Sequence, residues 1–315
     1  MAPILNVNAI HRLIANRLDE KALAGKALAG IVGDSPSHYS KSPGLWNAAF
    51  GHLGISAQYF PFDVDDAHLG DLLRVLKDCD QFLGINVTVP HKVRVIDFLD
   101  ELDPGAARIQ AVNTVVRSQT GKLTGYNTDG EGFVDSLLVP TSEHPQGFLP
   151  SLDAVDVLLL GAGGSARALA FHVSDHIGKG QLIISNRTFA HAQSLAGEIA
   201  RLGRHTLAIN EADVSVWAAK VGLIVNTTTK GQGGVRKLGN GKATMLEPYS
   251  ALAPAAPPAL LETADNRFER QWRAAAANDI EANNRRSESL AATIPAATRF
   301  YDLIYHPEAT VFLRH

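Results

Sequence analysis

Directly after an unbroken apolar run, Val155 to Leu160, the chain reads Gly161-Ala162-Gly163-Gly164-Ser165-Ala166 and then turns rich in Ala and Leu. A Gly-x-Gly-x-x-Ala spacing between a buried strand and a helix is built to hold the pyrophosphate of a dinucleotide. Gly161 permits the tight turn, Gly163 lets the backbone approach the phosphates, and small Ala166 lets helix and strand pack closely. Small residues at such a turn also occur for packing alone, but here a strand, a helix and a second strand surround the spacing, as the motif requires. The second strand ends Ser185-Asn186-Arg187-Thr188, with no carboxylate to take a ribose 2′-hydroxyl. A guanidinium there pairs with a 2′-phosphate, so Asn186, Arg187 and Thr188 favour NADP over NAD; the alternative is Arg187 as a solvated surface charge. Asn226 and Thr227 end a further strand, where amide and hydroxyl groups can orient the nicotinamide side of the cofactor.

The first half carries a different chemistry. Ser40-Lys41-Ser42-Pro43, Asn86-Val87-Thr88-Val89-Pro90-His91-Lys92, Asn113-Thr114 and Asn127-Thr128-Asp129-Gly130 place hydroxyls, amides, an ammonium and a carboxylate at expected strand ends. Ligands of open α/β sheets sit at those ends, and such groups suit a small polyhydroxylated acid. Each segment also has an ordinary meaning. Ser42-Pro43 can begin a helix, Asn127 to Gly130 can form an Asx turn, and Lys92 can be a surface lysine.

These residues need elements to position them. Apolar runs and helical spacing alternate from Ala29 onward: strands at Ala29–Val32, Ala57–Val64, Gly84–Val89, Ala111–Val116 and Lys122–Gly125, helices at Pro43–Leu53 and Ala67–Lys77. That rhythm predicts an α/β fold of two domains. A mainly parallel α/β substrate domain over 29–134 precedes a Rossmann-like nucleotide-binding domain over 135–315, with an insertion at about 231–298 to which no chemistry is assigned. The polar helix inside the insertion, Phe268 to Leu290, suits partial disorder or a contact surface. Residues 1–28 read as an added amphipathic helix, too charged for a signal or transit peptide.

Composition narrows the function classes. With 29 Lys and Arg against 32 Asp and Glu the net charge is −3, which argues against nucleic acid as a partner. With 45% apolar and 19% charged residues the chain can bury a core, and no apolar run is long enough to span a bilayer. A lone cysteine, Cys79, closes no internal disulfide and points to the cytoplasm. A metal is not invoked, and the sequence does not decide whether the chain forms a homodimer.

In order and spacing the polar blocks and the glycine loop resemble the shikimate and quinate dehydrogenase family, colinearly from Ile31 to Leu313. The serine pair before proline, Asn86 to Lys92, Ala111 to Thr114, Asn127 to Gly130, Gly161 to Ala166, Asn186 to Thr188, and Tyr301-Asp-x-x-Tyr305 each match a family block. The resemblance implies hydride transfer between a ring hydroxyl of shikimate, or of quinate, and NADP(H). It implies that Ser40, Ser42 and Tyr305 bind the substrate carboxylate and that Asn86, Thr88, Asn113 and Asp129 hold ring hydroxyls. Lys92 would stand beside the hydroxyl being oxidised. Oxidising an alcohol releases a proton, so the site needs a base, and Lys92 and Asp129 are expected to act as one coupled catalytic pair. The paired serines lean toward shikimate over quinate.

The chain also departs from the family pattern. Tyr39 stands where a histidine is common and Gln110 where a glycine is usual, and the 231–298 stretch is longer than compact members carry. The family normally continues beyond the Tyr-Asp-x-x-Tyr segment with helices that pack back on the first domain, whereas this sequence stops at His315. The expectation is a substrate site short of one wall and an exposed apolar face on the first domain. A non-catalytic relative that only binds shikimate or quinate is the alternative to a working enzyme.

Overall fold

The computed structural model describes residues 7–238, 241–261 and 267–315. Residues 1–6 of the expected N-terminal helix, and 239–240 and 262–266 of the expected insertion, lie outside these. The chain divides into two compact units, up to Thr128 and from Asp129 onward.

The first unit runs α1 (Val7–His11), α2 (Glu20–Leu23), β1 (Ala27–Gly33), α3 (Pro36–Tyr39), α4 (Ser42–Leu53), β2 (Ala57–Asp63), α5 (Leu69–Lys77), β3 (Phe82–Val87), a 3₁₀ turn (Arg94–Phe98), β4 (Glu101–Leu102), α6 (Pro104–Ile109), β5 (Thr114–Arg117) and β6 (Leu123–Tyr126). Its sheet has the order β2-β1-β3-β5-β6-β4. The strands β1, β2 and β3 are parallel, as expected, whereas β5 is antiparallel to both β3 and β6. Only residues 118–122 join β5 to β6, too few for the crossover that parallel pairing demands. Leu69, Leu72, Leu73 and Leu76 of α5 pack with Leu28, Phe62 and Phe82 beneath the sheet.

The N-terminal stretch corrects the expectation of one amphipathic helix. Two short helices form, because Asp19 caps α2 through the Lys21 and Ala22 N–H groups and Asn16 is drawn off to strand β2. Ile10, Ile14, Leu18 and Leu23 join the core of the first unit. Helix α4, by contrast, has no buried residue, and Leu45 and Leu53 are 71% and 67% exposed.

The second unit runs α7 (Asp129–Leu138), β7 (Val157–Leu160), α8 (Gly164–His176), β8 (Leu182–Asn186), α9 (Phe189–Ala200), β9 (Thr206–Asn210), a 3₁₀ turn (Glu211–Asp213), α10 (Val214–Ala218), β10 (Leu223–Asn226), β11 (Val235–Lys237), β12 (Lys242–Met245), β13 (Leu260–Leu261), α11 (Phe268–Ala291), β14 (Arg299–Asp302) and α12 (Val311–Arg314). The parallel sheet β14-β10-β7-β8-β9 has β7 buried along its whole length. This is the doubly wound Rossmann-like order, which reverses between β7 and β10.

Residues 231–298 do not form a loose excursion. Strands β11, β12 and β13 make a small antiparallel sheet, and Trp272 of α11 packs with Met245 and Phe268 in a core of its own. The Trp272 indole N–H donates to Pro258 O (2.8 Å), and Asn283 ties α11 to the carbonyls of Ser250, Ala253 and Pro254. Trp272 and Asn283, buried with their polar groups partnered, make α11 an ordered element rather than a partly disordered one. Among the described residues no helix is long and apolar enough to cross a membrane.

Candidate active site

In the first unit, strand direction gathers the polar residues. The carboxyl ends of β1, β3 and β6 and the amino end of β5 share one sheet edge, with Asn86 opposite Ile31 and Thr114, and Thr114 opposite Tyr126. Along that edge the side chains form a relay. The Tyr59 hydroxyl donates to Asn86 Oδ1 (2.7 Å), Asn86 Nδ2 to Thr114 Oγ1 (3.1 Å) and Thr114 Oγ1 to Asn113 Oδ1 (3.0 Å). Asn113 Nδ2 in turn donates to Thr128 Oγ1 (2.9 Å). Each amide is thereby fixed in orientation, which is what reading the hydroxyls of a ring requires. Asn127 reaches Ala111 O (2.9 Å) and closes the same corner. Tyr59 was not anticipated, although a tyrosine in an apolar strand needs a partner for its hydroxyl.

The serine pair lies on the turn after β1. Ser40 ends α3 and its Oγ accepts the Ser42 N–H (3.2 Å), while Ser42 opens α4 ahead of Pro43. Asp63, 5% exposed at the end of β2, clamps this turn through the Ser37 N–H (2.9 Å) and the Ser37 hydroxyl. Tyr39, in the place of the family's histidine, donates to Asp34 Oδ1 (3.3 Å).

Lys92 follows the Thr88–Pro90 turn at the end of β3 and is half-buried. Its neighbour His91 is fully buried, with Nδ1 2.9 Å from Asp66 Oδ1 and Nε2 2.8 Å from Val64 O. The Lys92 carbonyl accepts the Val112 N–H (2.7 Å). The backbone that carries the amine is therefore pinned on both sides. Asp129 is half-buried and heads α7 in the second unit.

In the second unit the glycine loop is built from backbone. Gly161 has φ +119°, and a Cβ there would lie 2.5 Å from Thr227 Oγ1. Its N–H donates to Ser185 O (2.7 Å), and Thr227 Oγ1 donates to Leu160 O (2.8 Å), so the ends of β7, β8 and β10 are laced together. Gly163 differs: φ is −84° and a Cβ would meet nothing within 4 Å. The fold does not demand glycine at 163, and the open space lies at the N-terminus of α8, where unpaired N–H groups attract phosphate. Ala162, Gly164 and Ser165 complete the turn into α8, and Ala166 is fully buried against the sheet. Arg167 holds Glu198 of α9 with both guanidinium nitrogens (3.0 and 2.6 Å), keeping that carboxyl below its usual range.

Arg187 and Thr188 are exposed just past β8, and Asn186 Nδ2 donates to Thr188 O (2.9 Å), shaping the turn that presents them. This set of donors fits a dinucleotide bearing a 2′-phosphate. The sequence places Asn226 at the cofactor. It is fully buried and its amide serves the loop itself, donating to Lys230 O and Asp302 Oδ1 and accepting from the Thr228 N–H and hydroxyl. Asp302, of the Tyr-Asp-x-x-Tyr segment, accepts from Asn226, Thr310 and the Ile304 N–H, and burial pushes its carboxyl upward. Tyr301 meets the Ser136 hydroxyl (2.9 Å), whereas Tyr305 is 54% exposed.

Comparison with known proteins agrees with both halves. Residues 31–115 match the shikimate dehydrogenase substrate binding domain, and residues 144–237 match shikimate / quinate 5-dehydrogenase. The shikimate dehydrogenase (NADP(+)) of Bacillus cereus (strain 03BB102) is 41% identical over 206 residues, which is 65% of this chain and 70% of that one. The same enzyme of Lysinibacillus sphaericus (strain C3-41) is 42% identical over 201 residues, 64% of this chain and 68% of the relative. A crystal structure of shikimate 5-dehydrogenase from Thermus thermophilus, in complex with NADP(H) and shikimate, aligns over 91% of this chain and 82% of that chain. Its TM-score is 0.61 at 26% identity. With its glycine loop, its polar sheet edge and these relatives, the chain belongs to the shikimate and quinate dehydrogenase family.

Proposed function

We propose that the protein interconverts shikimate and 3-dehydroshikimate with NADP(H). The observation that carries this reading is the relay from Tyr59 through Asn86, Thr114 and Asn113 to Thr128, which sets fixed amides and hydroxyls beside the Lys92 turn. Ser40 and Ser42 bind the substrate carboxylate, with Tyr305 as a further donor. Asn86, Thr88, Asn113 and Asp129 hold the ring hydroxyls. Lys92 takes the proton of the hydroxyl as it is oxidised, and in the reducing direction its ammonium returns the proton and steadies the developing alkoxide. Asp129 acts with it as the second member of a coupled pair.

The N–H groups at the start of α8 hold the pyrophosphate, with Gly161 and Gly163 opening the approach, and Arg187, Asn186 and Thr188 hold the 2′-phosphate. Bound nicotinamide supplies or accepts the hydride. A cytoplasmic location suits the buried, unpaired Cys79, and a homodimer is the proposed assembly, to be read by light scattering. Purified protein with NADP and shikimate should generate reduced nicotinamide, followed by absorbance. Quinate in place of shikimate should give slower turnover, since its extra hydroxyl needs another partner. Tight shikimate binding with no reduction of NADP would select a non-catalytic sensor instead.

A further inference from the structure

The segment to which the sequence assigned no chemistry builds one wall of a cavity in the second unit. About 700 Å³ in volume, the cavity lies between the 3₁₀ turn leading into α10 and the last turns of α11, with residues 252–254 across one end. That volume is in the range of small-molecule sites. Its floor is apolar, with Val214, Leu252 and Leu290 contributed from the core under the β-sheet. Its rim is charged, by Glu211, Arg285 and Arg286.

The charges on the rim do not cancel. The Glu211 carboxylate is held by the Lys230 ammonium, itself largely buried and hydrogen bonded to Ala253 O (2.8 Å). Burial pushes that ammonium below the usual lysine range against the pull of Glu211, with Arg187 and Asp279 also acting on it from nearby. Among the described residues Arg285 pairs only with Glu281, one turn back on the same helix, and the two side chains are 73% and 66% exposed. Exposed pairs of this kind hold weakly and release easily. Arg286 pairs with no carboxylate among the described residues. Two guanidinium groups on adjacent positions of one helix thus border an apolar floor, and the one carboxylate on that rim, Glu211, is already held by Lys230.

We infer that this cavity binds a small amphipathic anion, an apolar body carrying a phosphate or carboxylate that Arg285 and Arg286 hold while the body lies on Val214, Leu252 and Leu290. Planar guanidinium forks suit either oxyanion, and an apolar floor penalises a bare inorganic ion, which covers none of it. None of the residues lining the cavity is among those assigned to NADP(H) or to shikimate, although the Lys230 ammonium in its wall feels the charge of Arg187.

Isothermal titration of the full chain with phenyl phosphate, benzoate, inorganic phosphate and benzyl alcohol tests this. Phenyl phosphate or benzoate should bind at least about tenfold more tightly than inorganic phosphate or benzyl alcohol, because only the first two offer both halves of the recognition; which of them binds better identifies the oxyanion. The double variant Arg285→Glu/Arg286→Glu, and separately Ser215→Trp, which fills the cavity without touching the charges, should each weaken binding about tenfold or more. Turnover with NADP and shikimate should stay within about twofold, and circular dichroism should be unchanged, in at least one of them. Absence of binding by the wild-type chain, equal affinity in both variants, or displacement of the aryl anion by NADP would each overturn the assignment.

Discussion

The two units build their candidate sites by opposite means. In the second, the glycine loop is shaped by backbone. Gly161 is compelled by its φ of +119° and by Thr227 Oγ1, Ala166 is sealed against the sheet, and Asn226 and Thr227 hydrogen bond within the loops at the strand ends. In the first, the sheet edge presents side chains, each oriented by the next through the relay from Tyr59 to Thr128. A backbone site depends on which residues lack a side chain. A side-chain site depends on single functional atoms and on the contacts that hold them in place.

The sharpest break in that comparison comes from single atoms in the first design. Lys92→Ala and Asp129→Asn should each lower kcat by about 10²- to 10⁴-fold, the ordinary share of general acid–base catalysis. Affinity for NADP, measured by fluorescence titration, should be unchanged because neither residue belongs to the glycine loop. Near-normal turnover in either variant would remove the proton-transfer assignment.

The glycines offer the next largest effect, and they separate fold from function within one loop. Gly161→Ala meets both strained backbone and a clash, so it should destabilise by about 2–3 kcal/mol in urea unfolding and abolish NADP binding. Gly163→Ala meets nothing within 4 Å and has an ordinary φ. It should leave the urea midpoint unmoved yet raise the Kd for NADP about tenfold, since the added methyl occupies the approach of the pyrophosphate. Equal destabilisation by both would mean that Gly163 is a packing residue.

The same contrast explains how much of the molecule was legible beforehand. The nucleotide half could be read from spacing, because helix starts, buried strands and obligatory glycines leave a local pattern; β9 escaped because only Ile209 of its residues is buried. The substrate half could not be read from spacing alone. Asn86, Asn113 and Thr128 come from three segments and meet only through the register of β3, β5 and β6, so each kept its ordinary meaning until the family resemblance ordered them. Tyr59 is absent from that pattern, and His91 enters it only as a member of the Asn86 to Lys92 block. Their importance lies in what their polar tips touch, Asn86 in one case and Val64 and Asp66 in the other. The order of α11 was missed for a related reason: its polar surface hid Trp272 and Asn283, whose buried partners come from residues 244 to 258.

A smaller effect sharpens the comparison on the cofactor side, where one side chain does matter. Arg187→Ala should raise the KM for NADP about 10- to 100-fold, as a charge-assisted hydrogen bond contributes about 1.5–3 kcal/mol. The KM for NAD should change little, because NAD has no 2′-phosphate to lose. Parallel changes for both nucleotides would make Arg187 a general electrostatic contributor and not the discriminator.

The smallest effect is expected where the first unit tolerates a backbone irregularity. Gln110 ends α6 with φ 57° and ψ 38°, a left-handed conformation that disfavours any residue with a Cβ and that explains why glycine is usual there. Its N–H still caps the helix at Ala106 O, and its side-chain amide donates to Ala107 O, which offsets part of the strain. The Gln110 side chain is exposed, so removing it opens no cavity. Gln110→Gly should therefore stabilise the chain by about 0.5–1 kcal/mol, the left-handed penalty relieved less the added freedom of glycine when unfolded. The urea midpoint should rise while kcat and KM hold, because Ala111 to Asn113 are positioned by the Val112 N–H on Lys92 O and by Asn127 on Ala111 O, not by residue 110. A loss of turnover in this variant would show that the backbone of the first unit is as exacting as the glycine loop, and that the division between the two designs does not hold.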